Sequence, residues 1–351
     1  MENKSLLKAL FWISFALIAF VLGLMGLSIY IVVQIIGSPQ PPRSPKSPSK
    51  VPITTEAPHY QQDNIWKSPD FSTITENKSL IEYGKELITH TAKYFGPKGS
   101  IAPNTTNGMN CQNCHLEAGT KAFGNNYGLV ASTYPKYRAR SGTIENIEKR
   151  INDCFERSLN GKPLAPNSQE MQAIKAYIQW IGSNVKKDDN TLKGLSMKNN
   201  EISFLDRAAS PEKGKSIYQQ KCQSCHQPNG EGLKNDNLSE YIYPPLWGQN
   251  SYNDAAGLYR ISNFAKFVKY NMPLGANHNN IMLTDEEAWD LAAFVNSQPR
   301  PHKNTPNDWP HIHEKPFDHP FGPFADPYNE KQHKLGPFQP IQEYYKKQKK
   351  S

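Results

Sequence analysis

Apolar residues fall into separate runs along this chain, and their spacing predicts its elements. An uncharged run over residues 9–36 opens it, longer than the roughly 20 residues with which a helix crosses a bilayer. Closely spaced prolines follow, Pro39, Pro41, Pro42, Pro45 and Pro48, and hold an extended spacer with few internal hydrogen bonds. Helical spacing starts with Leu80, Ile81, Gly84, Leu87 and Ile88. It returns over 144–159, where Ile147, Ile151, Cys154 and Phe155 mark an inward face. A further helix is predicted over 169–185, with Ala173, Ile174, Tyr177, Ile178 and Ile181 as its apolar stripe and Ser168 as its cap. A second set repeats the plan. One helix opens at Pro211 and carries Gly214, Ile217 and Tyr218; another starts at the capping box from Thr284 to Glu287 and carries Ala288, Leu291, Ala292 and Val295. From Pro301 onward Pro, His, Phe and Lys dominate without a period, so no helix or strand is predicted there.

This order predicts a transmembrane anchor within 1–37, a Pro-rich linker over 38–70, folded units over 71–200 and 201–300, and an extended C-terminal arm over 301–351. Residues 186–201, rich in Lys, Asp and Asn, read as the link between the two units. Lys4 and Lys8 ahead of the apolar run favour an amino terminus in the cytoplasm. The expectation is a single-pass protein of the inner membrane with its folded units in the periplasm. That topology removes nucleic acid as a partner for the net charge of +8, which then points to small anions or an acidic redox protein.

The candidate chemistry lies in the cysteines. Cys111-Gln112-Asn113-Cys114-His115 and Cys222-Gln223-Ser224-Cys225-His226 each place two thiols and a histidine in the spacing that attaches haem c and offers the histidine to iron. About 0.002 such matches are expected by chance from the 5 Cys and 10 His present. Two covalently attached haem c groups are therefore expected. Neither pair has a second pair at zinc-finger distance. Cys154 is left over, and an unpaired thiol in an oxidising compartment is either buried or ligated. His90, Met109, Met171 and Met197 share its candidacy for the open face of the first iron. On the predicted helix Arg150, Cys154 and Ser158 stand at i, i+4 and i+8, and Arg140 lies in the aromatic, basic and turn-rich stretch from Tyr134 to Gly142. Spacing alone leaves Arg140 and Arg150 equally suited to pairing with Glu145 and Glu156.

Two resemblances sharpen this reading. The order Gly214-x-x-Ile217-Tyr218 before Cys222 resembles the first helix of a class I cytochrome c domain, and Tyr270-Asn271-Met272-Pro273-Leu274-Gly275 resembles the methionine loop of that family. Met272 is then the expected ligand of the second iron, with Met282 as the alternative. Over about 71–341 the chain resembles the dihaem thiosulfate dehydrogenases. The residues that carry this likeness are Tyr134-Pro135-x-Tyr137-Arg138-x-Arg140, Arg150-Ile151-x-x-Cys154-Phe155-x-x-Ser158-x-Asn160-Gly161, Asn271 to Gly275, Lys315 to Pro323 and Gln332 to Phe338. The resemblance implies an all-α fold of two class I cytochrome c-like haem domains. It also implies a catalytic first haem ligated by His115 and Cys154, and a second, ligated by His226 and Met272, that relays electrons. Arg140 and Arg150 would hold the anionic substrate, and Ser158 would hydrogen-bond near the thiolate. Some members carry a lysine before the second methionine; here that position is Asn271.

The implied activity is oxidation of two thiosulfate ions to tetrathionate, with tetrathionate reduction as the reverse. Implied partners are a periplasmic cytochrome c, a copper protein or a membrane respiratory complex. A membrane-tethered dihaem electron carrier without its own substrate fits the same fold, so the site has to decide.

Overall fold

A computed structural model describes residues 8, 12, 19–25, 64–189, 191–237 and 239–348. The chain divides into two compact units, 1–54 and 55–351. In the first, the described residues are helical and exposed. Most of the run 9–36, and the proline spacer as far as residue 63, lie outside the described residues. Among the described residues no helix is long and apolar enough to cross a membrane, which corrects the expected single-pass inner-membrane placement. An apolar run spans a bilayer only as one continuous helix that satisfies its own backbone, and the described residues 19–25 amount to about two turns.

The second unit uses one packing device twice. In its first half, α1 (Lys78–Thr89) lies against α3 (Gln169–Ile181), with α2 (Ile147–Asp153) between them in sequence. Ile81, Leu87 and Ile88 meet Ala173, Ile174, Tyr177, Ile178 and Ile181 in one core. In its second half α4 (Pro211–Lys221) lies against α6 (Asp285–Ser297), and α5 (Ile261–Asn271) supports α6. Each crossing turns on a glycine. A Cβ on Gly84 would sit 2.0 Å from the Ala173 carbonyl oxygen, and one on Gly214 would sit 1.9 Å from that of Asp290, so only hydrogen lets the backbones meet. Local sequence starts the helices. Ser168 accepts from the Met171 N–H, and Thr284 and Glu287 form a reciprocal capping box.

The all-α expectation needs correcting at two hairpins. β1 (Lys136–Arg138) pairs antiparallel with β2 (Thr143–Glu145), Tyr137 opposite Ile144, and Leu233–Lys234 pairs with Tyr241–Tyr243. The helix expected from residue 144 therefore begins later, because Asn146 caps α2 by accepting from the Lys149 N–H. Gly142 at φ 65° closes the first hairpin in a conformation that suits glycine.

The C-terminal arm, expected to be irregular, carries two helices, α7 (Glu330–Leu335) and α8 (Gln339–Gln348). Its apolar residues are too sparse and too often interrupted by proline to show a period, yet Phe338 and Ile341 are fully buried in the second core. Asp318, 1 % exposed, fastens the arm by accepting from Arg260 and from the Ser262 N–H and hydroxyl.

The two halves interlock through Phe123, a non-glycine residue at φ 58°. Its carbonyl accepts from the Asn200 and Asn271 side-chain amides at 2.8 and 3.3 Å, and its ring stacks on His278 and Tyr270. Overpacking the second crossing with Gly214→Ala is expected to destabilise the protein by about 1–3 kcal/mol. The measurement is the denaturant midpoint followed through absorbance of the second haem; an unchanged midpoint contradicts the close approach.

Candidate functional site

Both CxxCH histidines are held alike. His115 Nδ1 lies 2.5 Å from the Asn125 carbonyl oxygen and His226 Nδ1 lies 2.8 Å from that of Pro244. A ring that donates through Nδ1 turns the Nε2 lone pair toward a metal, as in second-shell control of metal-ligating histidines. Burial pushes His115 down to about 4, so the imidazole is neutral, as iron ligation requires. Its ring stacks on Tyr127, with centroids 4.4 Å apart. None of the five cysteines is in a disulfide, and burial pushes the Cys111 and Cys114 thiols up to about 12. These residues fit a covalently held haem on each half.

Beside His115 lies a cavity of about 440 Å³. Cys111, Cys114 and His115 line it together with Cys154, Arg140, Arg150 and Ser158. The four proposed catalytic residues thus share one space with the first haem motif. Met109 and Met197 also reach it, whereas His90 pairs with Glu240 at 3.1 Å and Met171 is fully buried in the core of α3. Met272 and Met282 both lie half-buried near the second motif's half, Met272 against the second core.

The electrostatics of the cavity are lopsided. Among the described residues neither Arg140 nor Arg150 forms an ion pair with a carboxylate. Glu145 faces Arg138 at 3.9 Å and Glu156 faces Lys303 at 3.6 Å, while Asp153 in the cavity wall acts on both arginines from beyond ion-pair distance. Burial of its guanidinium, with Arg157 and Arg150 close by, pushes Arg140 down to about 10. Arg150 moves the other way, above its ordinary value, chiefly through the negative charge of Cys154. The Cys154 sulfur and the Arg150 guanidinium thus share a space with room for an anion.

Cys154 opens a π-helical turn, Cys154–Ser158, closed by the Leu159 N–H donating to the Cys154 carbonyl at 2.9 Å. A wide i→i+5 turn lags the rotation of an α-helix, so Ser158 swings back toward the face that carries Arg150 and Cys154. The turn also leaves carbonyls without helical partners, and the second half of the protein takes them. Asn253 donates from its side chain to the Glu156 carbonyl at 2.9 Å and from its backbone to that of Arg157 at 3.1 Å.

Lys136 and Arg138, from the basic stretch noted in the sequence, arrive on β1. Three further site residues have no sequence signal: Arg260 comes from the second half, and Trp309 and Glu314 come from the arm. Arg140 lies beneath Trp309, 5.9 Å from the ring centroid, and its carbonyl accepts from the Trp309 N–H at 2.6 Å. Arg157 holds both carboxylate oxygens of Asp308, and the Tyr137 hydroxyl donates to Glu314 at 2.7 Å. The Asn160 side chain accepts from Asn253 at 3.0 Å, a contact that, like those of the arm, arises only on folding.

Residues 101–186 match the SoxA/TsdA cytochrome c domain, and residues 211–299 match the cytochrome c family. A thiosulfate dehydrogenase of Psychrobacter arcticus is 36% identical over 249 residues, 70% of this chain and 71% of the relative. One from Allochromatium vinosum is 38% identical over 223 residues, 62% of this chain and 79% of the relative. Among solved structures, the as-isolated thiosulfate dehydrogenase TsdBA of Marichromatium purpuratum superposes with a TM-score of 0.58 at 28% identity over 68% of this chain. This chain spans 50% of the length of that one. Two cytochrome c domains and their attachment motifs assign the protein two covalently bound haem c groups.

Asp308→Asn leaves the Arg157 guanidinium with Asp153, at 3.9 Å, as its one paired carboxylate among the described residues, at an expected cost of about 2 kcal/mol. The thermal midpoint should fall, and limited proteolysis should cut within 302–316 faster than in the unaltered protein; an arm that stays equally resistant rules out the clamp.

Proposed function

This chain belongs to the thiosulfate dehydrogenases, and we propose that it joins two thiosulfate ions into tetrathionate in the cavity beside His115. The observation that carries this reading is the meeting of Cys154 with Arg140 and Arg150, two guanidinium groups without carboxylate partners among the described residues. An electron carrier with no substrate has no use for such a cavity, because uncompensated buried charge weakens a fold unless a ligand completes it.

In the proposed reaction Arg140 and Arg150 bind the sulfonate oxygens of the first thiosulfate, for which planar guanidinium groups are well shaped. Ser158 donates a hydrogen bond close to the Cys154 sulfur. The outer sulfur of thiosulfate forms a bond to the Cys154 thiolate as two electrons leave. A second thiosulfate then attacks the outer sulfur of this adduct, tetrathionate departs, and the Cys154 thiolate is restored. No proton moves, and the charges balance at each stage. The two haem c groups, when bound, supply the electron sink, with His115 and Cys154 as ligands of the first iron and His226 and Met272 as those of the second. His115 is fixed for its part by the Asn125 carbonyl, and His226 by that of Pro244. The same contacts serve tetrathionate reduction when the partner donates electrons. The net charge of +8 supports an acidic redox protein as that partner.

Cys154→Gly is expected to abolish thiosulfate oxidation while the second haem keeps its absorbance and reducibility. Arg140→Met and Arg150→Met are expected to lower kcat/KM by roughly 10² to 10³ each, the scale of a lost donor to a reacting anion. Steady-state assays with an artificial electron acceptor check both; turnover unchanged in the Cys154 variant removes the proposed site.

A further inference from the structure

A second cavity, of about 480 Å³, adjoins the first and shares Arg140, Arg260 and Trp309 with it. The arm and the loop through Asp254 form its remaining walls. Its acidic groups are already engaged. Asp254 accepts from His302 at 2.6 Å and from the Lys303 N–H at 2.9 Å, and Asp308 is held by both terminal nitrogens of Arg157. Arg260, in turn, is neutralised by Asp318 behind the wall, and Lys303 faces Glu156 at 3.6 Å. Two cations are left without a carboxylate partner among the described residues: Arg140 on the wall common to both cavities, and Lys315. The Lys315 ammonium donates to the Phe321 and Pro323 carbonyls at 3.2 and 2.9 Å. Those contacts fix its position and leave one of its three N–H donors over. His319 in the same wall is pushed down to about 4, first by burial and then by Lys315, Arg260 and Arg140, as expected of a space already crowded with positive charge.

We propose that this second cavity is an oxoanion subsite in which Arg140 and Lys315 hold the sulfonate of the second thiosulfate while the first lies at Cys154. The inference rests on the thiosulfate reading of the site. Coupling forms one bond between the outer sulfurs and sends two electrons to the haem pair, so both sulfonates persist, one at each end of the product. Two dianions must approach until those sulfurs touch, and their repulsion is offset when cations stand at both sulfonates, Arg150 at one, Lys315 at the other and Arg140 between them. Arg140, placed between the cavities, serves both ends.

The test uses the full-length dihaem protein with Lys315→Gln, Lys315→Arg and Thr305→Asp, the last placing a carboxylate on a wall residue of the second cavity. Calorimetric titration with sulfate, an inert oxoanion, is read beside steady-state thiosulfate oxidation. Sulfate should fill two sites in the unaltered protein and in Lys315→Arg, and one in the Gln and Asp variants. KM for thiosulfate should rise about tenfold in those two, the scale of one lost charged hydrogen bond. Sulfate stoichiometry unchanged in both Lys315→Gln and Thr305→Asp overturns the subsite, whatever happens to turnover. Loss of one sulfate site in a protein that does not oxidise thiosulfate upholds the subsite and removes the thiosulfate reading instead. Should Lys315→Gln fail to retain haem, Thr305→Asp alone decides.

Discussion

Positive charge gathered around one thiol is the constraint on which this protein is built. Arg140 and Arg150 share a cavity with Cys154 and, among the described residues, form no ion pair with a carboxylate, while a third arginine in the same wall, Arg157, is held by both oxygens of Asp308. The distinction is chemical. Arg157 is a tie between the site and the arm, although its charge still weighs on Arg140. Arg140 and Arg150 stay free of ion pairs among the described residues, which leaves their guanidinium groups available to an anion in the cavity.

Holding that arrangement takes more than one haem domain. The Gly84 and Gly214 crossings show that both halves use the same close contact of first and last helices, which positions a CxxCH motif in each. Among the described residues the π-helical turn with a cysteine at its head lies in the first half, and its exposed carbonyls are satisfied by Asn253 from the second half. The second half therefore braces the turn that carries Cys154. Phe123 makes the reverse connection. Its carbonyl accepts from Asn271, the residue just before Met272, so the loop that follows α5 is anchored on the first half.

The arm completes the enclosure. Asp318 fixes it to α5 through Arg260, and from that point Trp309 and Glu314 reach over the first cavity while Lys315 and His319 face the second. Sequence composition gave this segment no period because its burial is piecemeal: Phe317 and Phe338 pack edge to face with ring centroids 5.3 Å apart, and Ile341 joins them in the second core. A helical stripe needs a continuous face to cover, and the arm covers none.

Much of this protein was legible in one dimension. Attachment of haem through Cys-x-x-Cys-His is a covalent requirement on adjacent residues, so the motif alone identified both haem halves, and the apolar stripes of α1, α3, α4 and α6 followed from helical geometry. Arg150, Cys154 and Ser158 were near one another in sequence and could be read as a group. Hydropathy of the first residues, by contrast, suggested an anchor, and among the described residues no helix is long and apolar enough to cross a membrane. Folding alone decided that Arg140 and Arg150 form no ion pair with Glu145 or Glu156, that Ser158 returns to the cysteine through a π-turn, and that Asn253, Trp309 and Lys315 arrive at the site. Those outcomes depend on contacts between residues as far apart in sequence as Arg140 and Trp309, whose energies are set by burial and charge in the assembled space and leave no periodic trace in the chain.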